Sequence, residues 1–334
     1  MKVIAPTLRR TTLLAALAVS LLFAHSDLSG EHARAALDAA PAGLLFGVGP
    51  EADSARRATL TRNAPIGMLT SWFNGSSDLA WISKWRTSVV LPAYRHGFAL
   101  HLVVWDGSSE GPLSTSHGDV CGRSYALSDR FLQDMRVLAN TFAGAPTDRL
   151  FVTLFAEFQT YPCRDSEWSP DVETTAYYEA LKDQYRAALS IFHTEAPNSK
   201  VSLGWGGWQA NWDNPAVGGG RSLFAHFADV LRISDFQSFQ SVESPTAARD
   251  AKAMTVALHR YGPVMLAFYK PKPAPTEAMD RTLSTFLSAA ALAGLQQEGL
   301  FALSFMDTSF MRGRPSTLAL VEASVRRSGC VRCN

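Results

Sequence analysis

The stretch Arg149-Leu-Phe-Val-Thr-Leu-Phe-Ala-Glu157 is the most informative part of the chain. After the arginine it is an almost continuous apolar run, which is typical of a strand buried on both faces in a parallel sheet. A glutamate ends the run, where such a strand would reach the edge of the sheet. The stretch therefore predicts a parallel α/β protein and marks Glu157 as a candidate functional residue.

Other short apolar runs of strand length repeat this pattern on both sides of the stretch. Including it, the predicted strands are residues 44–49, 66–73, 99–105, 150–157, 201–205, 236–241, 264–269 and 301–306. Amphipathic helical patterns lie between most of them, at residues 79–94, 129–142, 174–194, 222–232, 246–261, 276–297 and 317–326. Strand and helix alternate through one continuous region without a convincing linker. This order predicts a single (β/α)8 TIM barrel over residues 43–326.

Composition excludes several classes of protein. The 334 residues carry 31 Lys+Arg and 30 Asp+Glu, a net charge of +1, which argues against a nucleic-acid binder. Hydrophobic residues make up 47% and charged residues 18%, so the chain is not disordered. Dinucleotide, phosphate-loop, zinc-protease and serine-hydrolase motifs are missing from the sequence, so we expect no cofactor and no metal. We also expect a monomer.

The N-terminus predicts export. Lys2, Arg9 and Arg10 precede an apolar run at residues 11–24, which is shorter than the roughly 20 residues that span a bilayer. We interpret residues 1–35 as a signal peptide and leader, cleaved after 22–24 or after 33–35; an uncleaved anchor is the alternative. The mature chain is then expected in the cell envelope or outside the cell, without a stable membrane span.

An even number of cysteines in an exported protein suggests disulfides. We expect the pairs Cys121–Cys163 and Cys330–Cys333. The first pair would join the loops that follow the third and fourth strands. The second would close a CxxC motif in a C-terminal tail at residues 327–334.

Aromatic residues gather where the predicted strands end, and barrel active sites lie at the C-terminal ends of the strands. Candidate substrate-binding residues there are Trp72, Trp105, Trp205, Trp208, Trp212, Tyr269 and His101. Indole faces offer rigid apolar area on which the C–H faces of sugar rings stack, so the pattern indicates a saccharide ligand. The alternatives are tryptophans that pack loops against the barrel rim and a histidine satisfied inside the barrel.

Carboxylates at the strand ends supply candidate catalytic groups. Burial of Glu157 against Phe155 and Phe158 would raise its pKa, as a general acid requires. The alternative is a carboxylate paired with an arginine or lysine. Candidate partners follow the third, sixth and eighth strands: Asp106, Glu243 and Asp307. The alternative is that each of them caps the helix that follows it, as aspartate often does.

The sequence Leu154-Phe155-Ala156-Glu157-Phe158, the aromatic mouth and the export signal together resemble a known family. They are similar to the (β/α)8 glycoside hydrolases of the large retaining clan, and within it to the mannanase-like family 26. The resemblance implies a polysaccharide or oligosaccharide substrate and an acid/base role for Glu157. Two departures accompany it. Ala156 stands where the clan has Asn or His, and the strand-seven segment ending at Lys270 lacks the clan's nucleophilic glutamate.

These observations give one leading hypothesis and two rivals. The leading hypothesis is a secreted glycoside hydrolase with Glu157 as general acid and Asp307 or Asp106 as its partner. The first rival is a non-catalytic carbohydrate-binding barrel, which the missing strand-seven glutamate favours. The second is a barrel whose mouth docks another cell-surface protein.

Overall fold

The structure, a computed structural model, describes residues 43–107, 110–163, 171–213 and 222–331. Its strands are β1 (Leu44–Val48), β2 (Met68–Phe73), β3 (Ala99–Val104), β4 (Glu110–Thr115), β5 (Gly118–Arg123), β6 (Leu150–Leu154), β7 (Ser199–Trp205), β8 (Gln237–Val242), β9 (Val264–Lys270), β10 (Leu300–Phe305) and β11 (Gly329–Cys330). Within these residues, eight parallel strands follow the order β1-β2-β3-β6-β7-β8-β9-β10, and β10 pairs with β1 to close a barrel. The predicted barrel fold is confirmed.

Helices surround this barrel. They are α1 (Ala52–Arg57), α2 (Thr59–Asn63), α3 (Leu79–Ile82), α4 (Leu91–Arg95), α5 (Asp129–Phe142), α6 (Val172–Glu195), α7 (Gln209–Trp212), α8 (Leu223–His226), α9 (Ala228–Ile233), α10 (Ala247–His259), α11 (Thr276–Phe286), α12 (Ala289–Gln297) and α13 (Pro315–Ser328). One-turn 3-10 helices lie at Ser76–Asp78, Phe158–Thr160 and Ser309–Met311. Most of the α-helices lie in the connections between consecutive barrel strands, because parallel strands need a crossover connection of this kind.

Three predicted helices are interrupted, and the one predicted at 222–232 divides at Phe227 into α8 and α9. The helix predicted at 79–94 changes to a π-helical turn at Arg86–Val90 before α4 begins. The helix predicted at 276–297 divides because the Ser288 hydroxyl accepts a hydrogen bond from the Ala291 N–H at 3.2 Å and caps a new helix. Helices α1 and α2 and the antiparallel hairpin β4–β5, in the loop after β3, have no counterpart in the sequence prediction.

The barrel interior contains a polar layer. His101 on β3 lies 3.0 Å from the Thr153 hydroxyl of β6 and 3.3 Å from the Thr70 hydroxyl of β2. On the next two strands, β7 and β8, the Ser202 and Ser238 hydroxyls are 2.5 Å apart. Burial lowers the pKa of His101 to about 3, so the ring is neutral at ordinary pH. The expectation that this histidine might line the mouth is corrected, because the hydroxyls above satisfy it inside the barrel.

A bulge in β9 changes which side chains reach the barrel interior. Phe239 pairs with Leu266 but Gln240 pairs with Phe268, so one extra residue, Ala267, lies in β9. Ala267 and Phe268 both pack in the interior cluster. An extra residue shifts the alternation of side chains by one position. Tyr269 therefore packs in the outer layer, towards the helices, and Lys270 follows it with the opposite orientation.

The two ends of the chain are separate matters. The signal peptide expected at residues 1–35 lies outside the described residues, so it stays a prediction. In the parts of the chain that the structure describes, we find no helix whose length and apolarity suit a membrane crossing. At the other end, β11 pairs in parallel with the start of β1. The expected partner of Cys330, Cys333, lies outside the described residues, so that pair stays a prediction.

Candidate active site

Glu157 lies on a sharp turn at the C-terminal end of β6. The strand ends at Leu154, three residues before the predicted end, because Phe155 and Glu157 adopt left-handed backbone angles with φ of 53° and 60°. The Ala156 N–H donates to the Val104 carbonyl at 2.9 Å, and the Glu157 N–H donates to the Gly204 carbonyl at 3.0 Å. The turn is thereby bonded to both neighbouring strands, β3 and β7.

The turn also needs a small residue beside it. A Cβ atom at Gly204 would lie 2.8 Å from the Ala156 Cα, closer than real contacts allow. Glycine on β7 therefore lets the Glu157 turn approach the neighbouring strand. A side chain at this position would displace the backbone that carries the carboxyl group.

Backbone strain coincides with the strand ends. Among the described residues, the non-glycine residues with positive φ are Phe155, Glu157 and Glu243, and each lies within three residues of the end of a barrel strand. Such conformations cost about 1–3 kcal/mol each and cluster at functional sites. The strain therefore indicates that the C-terminal end of the barrel is the functional end, as the fold itself suggests.

The Glu157 carboxyl is half-buried. Burial raises its pKa above the ordinary value of 4.5. None of the ion pairs within the described residues includes it, so the alternative of a carboxylate paired with an arginine or lysine does not hold there. A carboxyl group whose pKa burial raises in this way can act as a general acid.

A second charged group lies at the ends of β8, β9 and β10. The Lys270 Nζ is 3.3 Å from Glu243 Oε1 and 3.7 Å from Asp307 Oδ2. Asp307 Oδ1 also accepts a hydrogen bond from the Ser309 N–H at 2.6 Å. We call Glu243, Lys270 and Asp307 the Lys270 triad. The structure thus brings two of the predicted carboxylates together around one lysine.

Four of the predicted tryptophans remain accessible at the strand ends. Trp72 is half-buried and meets the ring of Phe268 edge-on, 4.5 Å between centroids. Trp105 and Trp208 are also half-buried, and the Trp208 ring lies against the backbone of Gly206. Trp212 is 62% exposed on α7. These side chains have apolar faces that a sugar ring can contact.

Trp205 and Tyr269 do not belong to the mouth, which corrects two predicted binding residues. Trp205 is 0% exposed and packs between barrel and helices, with ring centroids 4.8 Å from Phe158 and 4.7 Å from Phe224. Alternation along β7 explains this position, because Ser202 faces the interior and Trp205 is three residues further on. Tyr269 is buried in the same outer layer, 4.6 Å from the ring of Phe286, as a result of the β9 bulge.

Asp106 is also enclosed by the protein, and its contacts hold a loop in place. It is buried, and its Oδ2 accepts a hydrogen bond from the Ala126 N–H at 3.1 Å. Its own N–H donates to the Tyr161 hydroxyl oxygen at 3.0 Å. Asp106 therefore anchors the ends of the long loop after β3, and its predicted role as a catalytic partner is corrected.

The Cys121–Cys163 disulfide is confirmed, with the Cα atoms 5.2 Å apart. It joins β5 of the hairpin to the segment that follows Glu157. The Arg123 guanidinium lies 5.8 Å from the centre of the Tyr161 ring and adds a cation–π contact in the same wall. The chain on the far side of the Glu157 turn is thus cross-linked to the hairpin.

Two further residues matter that the sequence prediction did not place in the site. Gln159 is buried; its Oε1 accepts the Gly206 N–H at 2.9 Å, and its Nε2 donates to Gln209 Oε1 at 3.2 Å. It links the Glu157 turn to the loop after β7. Lys270 is the other, and its signal is the same as that of Glu157, a charge at the end of an apolar strand.

The fold of this chain is similar to that of several solved structures. No family model and no curated protein matches the chain. Among solved structures, it is similar to a β-1,4-mannanase from the sea hare Aplysia kurodai, with 11% identity over 86% of this chain and 95% of the other, and a TM-score of 0.50. It is similar to GH5_18 from Streptomyces cattleya in complex with GlcNAc, with 15% identity over 86% and 80% and a TM-score of 0.54.

A third similar structure is the exo-β-1,4-mannosidase Op5Man5 from Opitutaceae bacterium strain TAV5, with 10% identity and a TM-score of 0.53. The alignment covers 85% of this chain and 60% of the mannosidase chain. At such identities the likeness concerns the fold. The expected resemblance to (β/α)8 glycoside hydrolases is confirmed at that level.

Proposed function

We propose that the protein is a glycoside hydrolase that cleaves a polysaccharide or oligosaccharide, with Glu157 as its general acid. One observation carries the proposal: a half-buried carboxyl, whose pKa burial raises, follows β6 at the functional end of the barrel. The fold supports it, because the similar solved structures include glycoside hydrolases. Fold alone does not fix chemistry, so the proposal depends on this residue.

The chemistry needs a proton donor and a second carboxylate. Cleavage of a glycosidic bond passes through an oxocarbenium-like transition state, in which the leaving oxygen must gain a proton. The Glu157 carboxyl donates that proton, and the Lys270 triad supplies the second carboxylate. Trp72, Trp105, Trp208 and Trp212 hold the sugar rings through their accessible faces.

A panel of glycans tests this proposal. The purified chain is incubated with β-1,4-mannan, β-1,4-mannohexaose and chitohexaose, and new reducing ends are measured. We expect cleavage of at least one by the wild type, none by Glu157→Gln, and wild-type turnover by Asp53→Asn. Asp53 is a matched control, because it is a carboxylate on α1 that pairs with Arg57 at 2.7 Å. Equal turnover by Glu157→Gln would contradict the proposal.

A carbohydrate-binding barrel without catalysis is the second candidate. It is favoured by Lys270, an ammonium group at the end of the seventh barrel strand, β9, where the resemblance predicts a nucleophilic glutamate. This candidate requires saturable binding of a panel glycan, weakened by Trp208→Ala, without any new reducing end. A product formed by the wild type and not by Glu157→Gln would reject it.

We also propose that the protein is exported. The Cys121–Cys163 disulfide supports this, because such bonds persist mainly in oxidising compartments. Expression of the full chain and of a chain lacking residues 1–35, followed by cell fractionation, tests it. We expect the full chain outside the cytoplasm and the shortened chain inside. Cytoplasmic retention of both would contradict export.

A further inference from the structure

The position of the second carboxylate bears on the stereochemistry of the reaction. Retaining glycosidases hold their two carboxyl groups about 5–5.5 Å apart, whereas inverting ones leave about 6.5–9.5 Å for a water molecule. A retaining enzyme also needs one carboxylate to bond covalently to the sugar. The carboxylates of the triad and their strands therefore distinguish the two routes.

Asp307 follows the strand opposite Glu157. Around the closed barrel, β10 is four strands from β6 in either direction, through β7, β8 and β9 or through β3, β2 and β1. No position in the barrel is further from β6. Glu243, in contrast, follows β8, only two strands away. Glu157 and Asp307 therefore follow strands on opposite sides of the barrel, which is the arrangement that an inverting pair, with a sugar and a water between its carboxyl groups, requires.

Asp307 is held by contacts to both carboxylate oxygens, but those contacts do not use all of its hydrogen-bonding capacity. Its Oδ1 accepts the Ser309 N–H at 2.6 Å, while its Oδ2 lies 3.7 Å from the Lys270 Nζ. The second distance exceeds that of a hydrogen bond, so Oδ2 retains acceptor capacity for a water. The Asp307 side chain is 21% exposed, against 45% for Glu243, so it is the more confined of the two.

We propose that this site hydrolyses its glycosidic bond with inversion, with Asp307 as the base that activates water and Lys270 as the residue that positions Asp307. The inference rests on the proposed function. Glu157 gives its proton to the leaving oxygen as the bond from that oxygen to the anomeric carbon breaks. Water attacks the anomeric carbon from the other face, and Asp307 Oδ2 takes the proton it loses. Solvent then returns one proton to Glu157 and removes one from Asp307.

Lys270 is a positioning residue in this scheme. Its ammonium group lies between two carboxylates that would otherwise repel each other, and it holds Asp307 from the side opposite Ser309. An ammonium at the end of β9 also leaves that strand without the carboxylate that a covalent intermediate would need. Arginine would keep the charge, whereas methionine would keep only the length of the side chain.

Proton NMR during hydrolysis tests the stereochemistry. β-1,4-Mannohexaose, or chitohexaose if only that is cleaved, is followed from the first turnovers, before mutarotation. Inversion predicts that the α-anomer appears first from either β-linked glycan. Initial formation of the β-anomer would overturn this inference and leave the proposed function standing. Failure to cleave any panel glycan would instead contradict the proposed function, and the inference with it.

Variants test the residue assignments. We expect Asp307→Asn to lower kcat by about 10²–10⁴-fold, in the range of general-base catalysis, and Glu243→Gln to lower it less. Lys270→Met should lower kcat with little change in KM, and Lys270→Arg should recover most of the loss. A larger effect in Glu243→Gln, or a Lys270→Met variant that loses only thermal stability, would overturn the assignment.

Discussion

The charged residues at the ends of β6 and β9 have opposite surroundings: one lacks an ion-pair partner among the described residues and the other has two. At the end of β6, Glu157 is half-buried and has no ion-pair partner within the described residues, so burial favours its neutral form. At the end of β9, the Lys270 Nζ lies 3.3 Å from Glu243 Oε1 and 3.7 Å from Asp307 Oδ2, so both carboxylates there have a cation beside them. One strand end thus carries a carboxyl group without an ion-pair partner in the described residues, and the other carries carboxylates held beside a lysine. Their difference is what a pair of carboxyl groups in a hydrolase requires.

Different backbone devices produce the two ends. A left-handed turn ends β6 early, and bonds to β3 and β7 fix the peptide that carries Glu157. A bulge in β9 shifts the alternation so that Lys270, rather than Tyr269, joins the triad. The barrel closes with both features present. The turn sets the position of Glu157, and the bulge sets the orientation of Lys270.

The largest effect is expected from removing the proton at the end of β6. Glu157→Gln should lower kcat on the glycan that the protein cleaves by about 10²–10⁴-fold, because the leaving oxygen loses its donor. On a 2,4-dinitrophenyl glycoside of the same sugar the loss should be much smaller, since that leaving group needs no proton. Steady-state kinetics on both substrates check this, with Asp53→Asn as control. Equal losses on both substrates would break the comparison between the strand ends.

The next effect separates core tryptophan from mouth tryptophan. Trp205→Ala should reduce the free energy of unfolding by about 3–5 kcal/mol, because the ring is fully buried among aromatic neighbours. Trp212→Ala should change it by less than about 0.5 kcal/mol, because that ring is mostly exposed. Denaturant unfolding of the two variants measures these free energies, and calorimetric titration with β-1,4-mannohexaose measures how each variant binds the glycan. A loss of stability in Trp212→Ala like that in Trp205→Ala would contradict the assignment.

The disulfide beside Glu157 should contribute to stability and activity together. Replacing Cys121 and Cys163 by serine frees a loop of sequence separation 42 and should cost about 2–4 kcal/mol. We expect kcat to fall as well, because the segment after Glu157 loses its bond to the hairpin. Unfolding curves and kinetics of the double variant measure the two effects. Unchanged kcat in a destabilised variant would show that the Glu157 turn is held without the bridge.

The last effect appears only in acid and concerns the polar layer beneath the mouth. The pKa of His101 is about 3 in the folded protein against 6.5 for an ordinary histidine, so the unfolded chain binds the proton first. Stability should therefore fall as the pH drops from about 6.5 towards 3, by at most about 1.4 kcal/mol per pH unit from this group. Unfolding free energies of wild type and His101→Gln across this range measure the slope. An identical slope in both would contradict the burial of His101.

Sequence reasoning recovered the barrel because parallel strands buried on both faces leave a local pattern. Runs such as 150–157 and 264–269 are apolar and bounded by turn residues, and helix α5 begins at Asp129 because Ser128 caps it. The same reasoning paired both cysteines of the bridge and singled out Glu157, whose role stays a prediction. All of these signals are local, or need only the order of neighbouring strands.

Which side chains meet at the strand ends was harder to predict from the sequence, because it depends on how the strands pair in space. The β9 bulge is a pairing event between strands, so the sequence of β9 alone does not reveal whether Tyr269 or Lys270 turns inwards. The triad exists because β8, β9 and β10 are neighbours at one edge. Trp205 was accessible to reasoning: counting alternate residues from Ser202 would have placed its ring outside the barrel.

Titration of the Glu157 carboxyl in the folded protein tests the central claim most directly. Carbon-13 NMR of protein labelled at the glutamate carboxyl positions, with Glu157→Gln to assign the signal, gives its midpoint. The account predicts a midpoint above 4.5, because burial without an ion-pair partner favours the protonated form. A midpoint at or below 4.5 would mean that the group is solvated or paired, and Glu157 would not be the proton donor.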